Sequence, residues 1–98
     1  MNKTVDLPPT VNHRLALFAR RLRDARKQRR WTQERLAQVA GIGVSTVRAI
    51  EHGEPATAIG NYLAMLWALD LDAQLDNLLT SGNVGALAGT PPQMDNNF

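Results

Sequence analysis

Residues 33–51, QERLAQVAGIGVSTVRAIE, constrain the fold more than any other part of the chain. Two segments of eight residues each carry apolar residues at helical spacing, and a glycine divides them. Thr32 is a natural N-cap, and Glu34 in the next turn suits the positive end of a helix dipole. The pattern predicts a helix over Gln33 to Ala40, with Leu36, Ala37 and Ala40 facing inward. Gly41 stops it, since glycine enters the left-handed region just past a helix end without steric cost. Ile42-Gly43 then connects to a second short helix over Val44 to Glu51, which buries Val47 and Ile50. His52-Gly53 closes it.

Two short helices joined by three or four residues including a glycine form a helix-turn-helix. The motif needs a small residue where the helices cross, a reversal at positive φ, and apolar side chains sharing one core. Ala37, Gly41, and the set Leu36, Ala40, Ile42, Val47 and Ile50 meet all three demands.

The rest of the chain reads around this centre. Residues 1–11, with Pro8-Pro9, are expected to be a flexible N-terminal arm. A helix is predicted from the capping residue Asn12 to about Arg29, with Leu15, Phe18, Ala19, Leu22 and Ala25 as its apolar stripe. A longer helix is expected over Thr57 to Leu69, with Ile59, Tyr62, Leu63, Leu66 and Leu69 on its core face. Asp72 to Leu79 suits a last turn or two, or an extended segment. Residues 80–98, rich in Gly, Pro and Asn, are expected to be a disordered tail. The expected domain is therefore 12–79, an all-α bundle of about five helices.

Charge is the second constraint. The net charge of +2 hides a strong asymmetry. Residues 14–35 hold nine basic residues against only Asp24 and Glu34, and nine less two leaves +7. Residues 49–98 hold six acids and no Lys or Arg. Such a split suggests one surface facing a polyanion and another turned away from it. A solvated helix face is the alternative that charge alone leaves open. No apolar run reaches the ~20 residues of a membrane-spanning helix. No signal core opens the chain, and there is no cysteine, so a cytoplasmic protein without disulfides is expected.

Enzyme signatures are missing from the sequence. His13 and His52 form no HExxH pair, there is no thiol nucleophile, and GNVGALAG follows no predicted strand. Neither a catalytic residue, a metal site nor a cofactor is expected.

Through LRDARKQRRWTQERLAQVAG, STVRAIEHGEP and YLAMLWALDL, residues 14–71 resemble the Cro/cI-type (XRE) helix-turn-helix family, a lambda repressor-like bundle. The resemblance implies a bacterial or phage transcriptional regulator that binds double-stranded operator DNA as a dimer. It places Gln33 at the start of the second helix, where its side chain and nearby amides hold a phosphate; Thr32 beside it suits a cap or a DNA contact. On the third helix, Val44, Ser45, Thr46, Arg48 and Ala49 face outward. Val44 suits a thymine methyl, Ser45 almost any base, Thr46 a phosphate, and Arg48 a guanine or a phosphate. His52 suits a structural or a phosphate role. Gly43 stands where many members carry a capping Ser or Thr. Glu54-Pro55 stands where many carry basic residues, a loss for which Arg35 and the arginine-rich first helix can compensate.

In similar proteins an arginine late in the first helix bonds a glutamate ending the third, and Arg26 and Glu51 occupy those places. For the dimer, the basic first helix would repel its copy. A two-fold interface is therefore expected in the acidic half, from Trp67 with Leu71, Leu75 and Leu78, with extension to a tetramer open. Packing of Trp67 against Leu71 to Leu79 of its own chain is the alternative. Two other functions stay open. One is an antitoxin that sequesters a toxin protein while regulating its own operon. The other is an RNA-binding or coactivator role.

Overall fold

The computed structural model describes residues 6–80, and among these the chain is all helical. Four α-helices run in order: α1 (Pro9–Gln28), α2 (Gln33–Ala40), α3 (Val44–Glu51) and α4 (Ile59–Ala68). A 3₁₀ helix, Asp72–Asn77, follows them.

α1 begins at Pro9, ahead of the start expected at Asn12. Pro9 sits at the first helical position, where the missing N–H costs nothing and φ is preset. The Pro8 carbonyl accepts from the amides of Val11 and Asn12. Asn12 does not cap; its side-chain amide donates to the Leu7 carbonyl. Residues 9–11 of the expected arm are thus helical, and residues 1–5 lie outside the described residues. The expected tail, apart from Thr80, lies outside them too.

The centre of the fold follows the local chemistry. Thr32 caps α2, its hydroxyl accepting from the Arg35 amide at 2.9 Å. Gly41 ends α2 at φ +74°, and both its amide and that of Ile42 return to the Ala37 carbonyl. The other three α-helices also end on a left-handed residue: Arg30 (φ 59°), Gly53 (φ 76°) and Asp70 (φ 62°).

Leu22, Leu36, Ala37, Val47, Ile50, Met65, Leu66 and Leu69 form the core, so all four α-helices meet in it, α4 through Met65 and Leu66 with Leu69 just past its end. Trp31, Ile42, Val44, Tyr62, Leu71 and Leu75 pack around its edge. Phe18 stacks on Tyr62 with ring centroids 5.8 Å apart. The Tyr62 hydroxyl donates to the Glu54 carbonyl and pins the loop before α4.

Tyr62, Leu66 and Leu69 face the core as expected of this helix, but two other positions differ. Ile59 and Leu63 are not core residues: they are 74% and 37% exposed, whereas Met65 is fully buried. The sequence IGNYLAMLWAL is apolar around nearly the whole helix, so periodicity cannot set its phase. Ile59, Leu63 and Trp67 lie four residues apart and share one outer stripe, with Trp67 61% exposed. Of the segment Leu71 to Leu79, Leu71 and Leu75 are half-buried against their own core.

Candidate nucleic-acid interface

A buried ion pair sets the geometry of this surface. Arg26, late in α1, donates from Nε to Glu51 Oε2 at 2.7 Å and from Nη2 to Glu51 Oε1 at 3.0 Å. Its Nη1 donates to the Trp31 carbonyl at 2.8 Å. The two side chains are 10% and 2% exposed. Burial raises the Glu51 pKa, but hydrogen bonds from Arg26 and Gln33 and the charges of Arg26 and Arg23 outweigh it, leaving the carboxyl below its ordinary value. Glu51 is held ionised, and it ties the end of α3 to α1 and to the start of α2.

From Glu51 a chain of contacts leads outward. Gln33 Nε2 donates to Glu51 Oε1 at 3.0 Å. Arg48 Nε donates to Gln33 Oε1 at 3.3 Å. Arg48 Nη2 reaches Glu34 Oε2 at 3.4 Å, an ion pair with both side chains half or more in solvent. The side chain expected at a phosphate and the one expected at a base are thus joined, and both are referenced to the buried pair. Sequence reasoning missed this linkage. Gln33 and Arg48 lie 15 residues apart, and no local pattern joins them. It also missed Arg29, which donates to the carbonyls of Ala25 and Leu69 and so fastens the end of α1 to the end of α4.

The other expected residues fall around this chain. Ser45 and Arg48 are exposed on α3. Val44, Thr46 and Ala49 are half-buried, and Val44 leans on the core, so they face outward less than the periodicity suggested. Gly43 is the N-cap of α3 at φ −73°, a conformation open to any residue, and provides no side-chain cap. Thr32 and Arg35 are exposed at the start of α2, where the Arg35 guanidinium donates to Gln38 Oε1 at 2.9 Å. The amides of Gln33 and Glu34 open the helix, and helix starts leave such donors without intrahelical acceptors. His52 caps the end of α3, its ring Nδ1 donating to the Arg48 carbonyl at 2.8 Å.

The exposed surface thus offers a helix start with outward amides, an arginine and a serine on the neighbouring helix, and a backbone scaffold tied by buried charge. Such groups donate hydrogen bonds to phosphate oxygens and to base edges. No helix among the described residues is long and apolar enough to cross a membrane. No curated protein matches the chain. A family model described as "Helix-turn-helix domain" matches residues 17–78, which include α2, the Gly41 turn, α3 and α4. That match is consistent with the Cro/cI-type resemblance of the sequence and spans well over half of the chain. The chain belongs to the helix-turn-helix domain family, whose motif is that of DNA-binding regulators.

Proposed function

We propose that the protein is a sequence-specific regulator that binds an operator in double-stranded DNA as a homodimer in the cytoplasm. The reading assigns it no catalytic step. The observation that carries it is the Glu51–Gln33–Arg48 chain, which fixes a phosphate-binding helix start against the exposed side of α3. In this reading α3 enters the major groove. Ser45 and Arg48 meet base edges, while Gln33, the first amides of α2 and Arg35 hold the backbone. Sequencing the DNA that co-purifies with the protein tests it. One enriched, two-fold symmetric sequence is expected, and uniform recovery of unrelated fragments would count against sequence-specific binding.

The dimer is supported by the outer stripe of α4. Ile59, Leu63 and Trp67 expose apolar area on the half of the chain that carries no Lys or Arg, and the exposed Leu78 lines one surface groove with Ile59 and Leu63. Two recognition helices on one operator sit about 34 Å apart, which suits an interface far from the basic α1. Trp67 and Leu78 are its proposed centre. Leu71 and Leu75 support it from behind, because they are half-buried in their own subunit. Trp67→Lys should give a folded monomer with weaker operator binding. If the parent itself sediments as a monomer, the stripe is better assigned to a different protein, such as the toxin of a toxin–antitoxin pair.

A further inference from the structure

Beside the proposed DNA surface lies a hollow that this reading leaves unused. It forms where the end of α3 crosses the middle of α1. The crossing is close: a Cβ placed on Gly53 would lie 3.7 Å from Ala16 Cα and 3.9 Å from Ala19 Cβ. The small residues bring the backbones together, and the larger side chains on either side leave a space of about 270 Å³. That is several times the roughly 30 Å³ a water occupies in the liquid. His13, Arg20, Arg23 and His52 line it, with Glu51 at its floor.

The charge of this hollow is positive. Glu51 already accepts from Arg26 and Gln33, and its one negative charge also faces Arg23, so with Arg20 the surroundings of the hollow stay net positive. Arg20 and Arg23 make no ion pair with an acid within salt-bridge distance among the described residues. The Nε of Arg23 is buried with no hydrogen-bond acceptor. A buried donor left unmatched costs about 1–3 kcal/mol, and native structures match nearly all of them. An acceptor entering the hollow would remove that cost. His52 follows Arg48 by one turn of α3, so the hollow begins where the exposed face of the recognition helix ends.

We infer that this hollow is an anion site that takes a phosphate group, with Arg23 and Arg20 as its principal donors and His13 and His52 at its rim. A guanidinium fork matches phosphate oxygens bidentately, which a lysine in the same place would not. Two sources offer that chemistry. One is a backbone phosphate of DNA running past the end of α3, and this source rests on the regulator reading above. The other is a free phosphate or phosphate monoester, which does not.

The test uses the full chain in two arms. In the first, inorganic phosphate is titrated at constant pH and ionic strength while the ring C–H resonances of His13 and His52 are followed by NMR. Saturable shifts are expected in the parent. They should weaken at least tenfold in Arg23→Gln and persist in Lys27→Gln, whose side chain is exposed and does not line the hollow. In the second arm, the affinity for a short random duplex is measured across a salt series. Arg23→Gln should reduce the steepness of log K against log salt by about 0.9 per protomer, the value of one phosphate contact. Arg20→Gln, at an exposed position, gives the same readouts if Arg23→Gln fails to fold, with a smaller loss. A change in both arms assigns the hollow to phosphate from either source. A change only in the duplex arm assigns it to the DNA backbone, and one only in the phosphate arm to a free anion. Unchanged behaviour of the hollow variants in both arms would overturn the inference. A parent that binds no duplex at all would instead sink the regulator reading, and the phosphate arm would still decide this one.

Discussion

Replacing Glu51 with alanine removes three hydrogen bonds at once, two from Arg26 and one from Gln33. Arg26 stays behind, 8% exposed, with only the Trp31 carbonyl as acceptor. A buried pair broken on one side costs about 3–5 kcal/mol, because the surviving charge has no counterion in a medium that solvates it poorly. At roughly 0.05–0.15 kcal/mol per residue, a chain of this size has about 5–15 kcal/mol in all. The variant should therefore lose about a fifth of its stability or more. Urea unfolding followed by tryptophan fluorescence and by helical circular dichroism measures this, with the same m-value expected for parent and variant. The acid dependence gives a second, independent check. The Glu51 carboxyl is depressed in the folded state, so its contribution is complete above its ordinary value near 4.5 and fades as pH falls through the lower folded value. The gap between parent and Glu51→Gln should hold between pH 5 and 7, roughly the window in which carboxylates stay ionised, and narrow below about pH 4. A Glu51→Ala protein that unfolds at the parent urea concentration would refute the buried pair. So would a gap that stays constant to low pH.

Two glycines of the turn should behave oppositely. Gly41→Ala forces a side chain into φ +74° and should cost about 1–2 kcal/mol in thermal unfolding, although nothing lies within 4 Å of the new Cβ. Gly43→Ser meets only Thr46 Oγ1 at 3.8 Å and Ser45 Oγ at 3.9 Å, so it should be neutral or gain up to about 1 kcal/mol as a better cap. Glu34→Gln should change stability by less than about 1 kcal/mol, since its pair with Arg48 is exposed. It should nevertheless tighten duplex binding, because a negative charge leaves the α2 start and Arg48 is released; fluorescence anisotropy at fixed salt measures this.

Much of the fold was legible because its signals are local. Thr32, the alternation of Leu36 and Ala37 with polar residues, and Gly41 each act within one or two turns of chain, and the boundaries of α2 and α3 follow from them. The start of α1 was misplaced because two starting signals compete. Pro9, preset for a first helical position, prevails over Asn12, whose side chain bonds the Leu7 carbonyl instead. On α4, Tyr62, Leu66 and Leu69 face the core as their spacing predicts, but the other apolar residues carry no local signal for which of them turns inward. Tertiary packing chose Met65 for the core, leaving Ile59 and Leu63 outside with Trp67. At the site, the pairing of Arg26 with Glu51 follows from family resemblance. The contacts from Gln33 to Arg48 and Glu34 cross between two helices, and their geometry exists only once the turn has set the helix–helix angle. The hollow beneath His52 escaped notice for the same reason, since its lining comes from α1 and from the end of α3.

The most direct test of the DNA reading is the salt dependence of binding to the operator recovered with the protein, measured for the parent and for variants of the exposed surface. If each subunit neutralises about three to five phosphates, and the dimer therefore about six to ten, affinity should fall by roughly 10³–10⁵ between 50 and 200 mM salt. Gln33→Ala and Arg35→Ala should weaken all duplexes alike, whereas Ser45→Ala and Arg48→Ala should change which operator bases are preferred. A flat salt response, or tighter binding to single strands than to duplex, would contradict the assignment of this surface to double-stranded DNA.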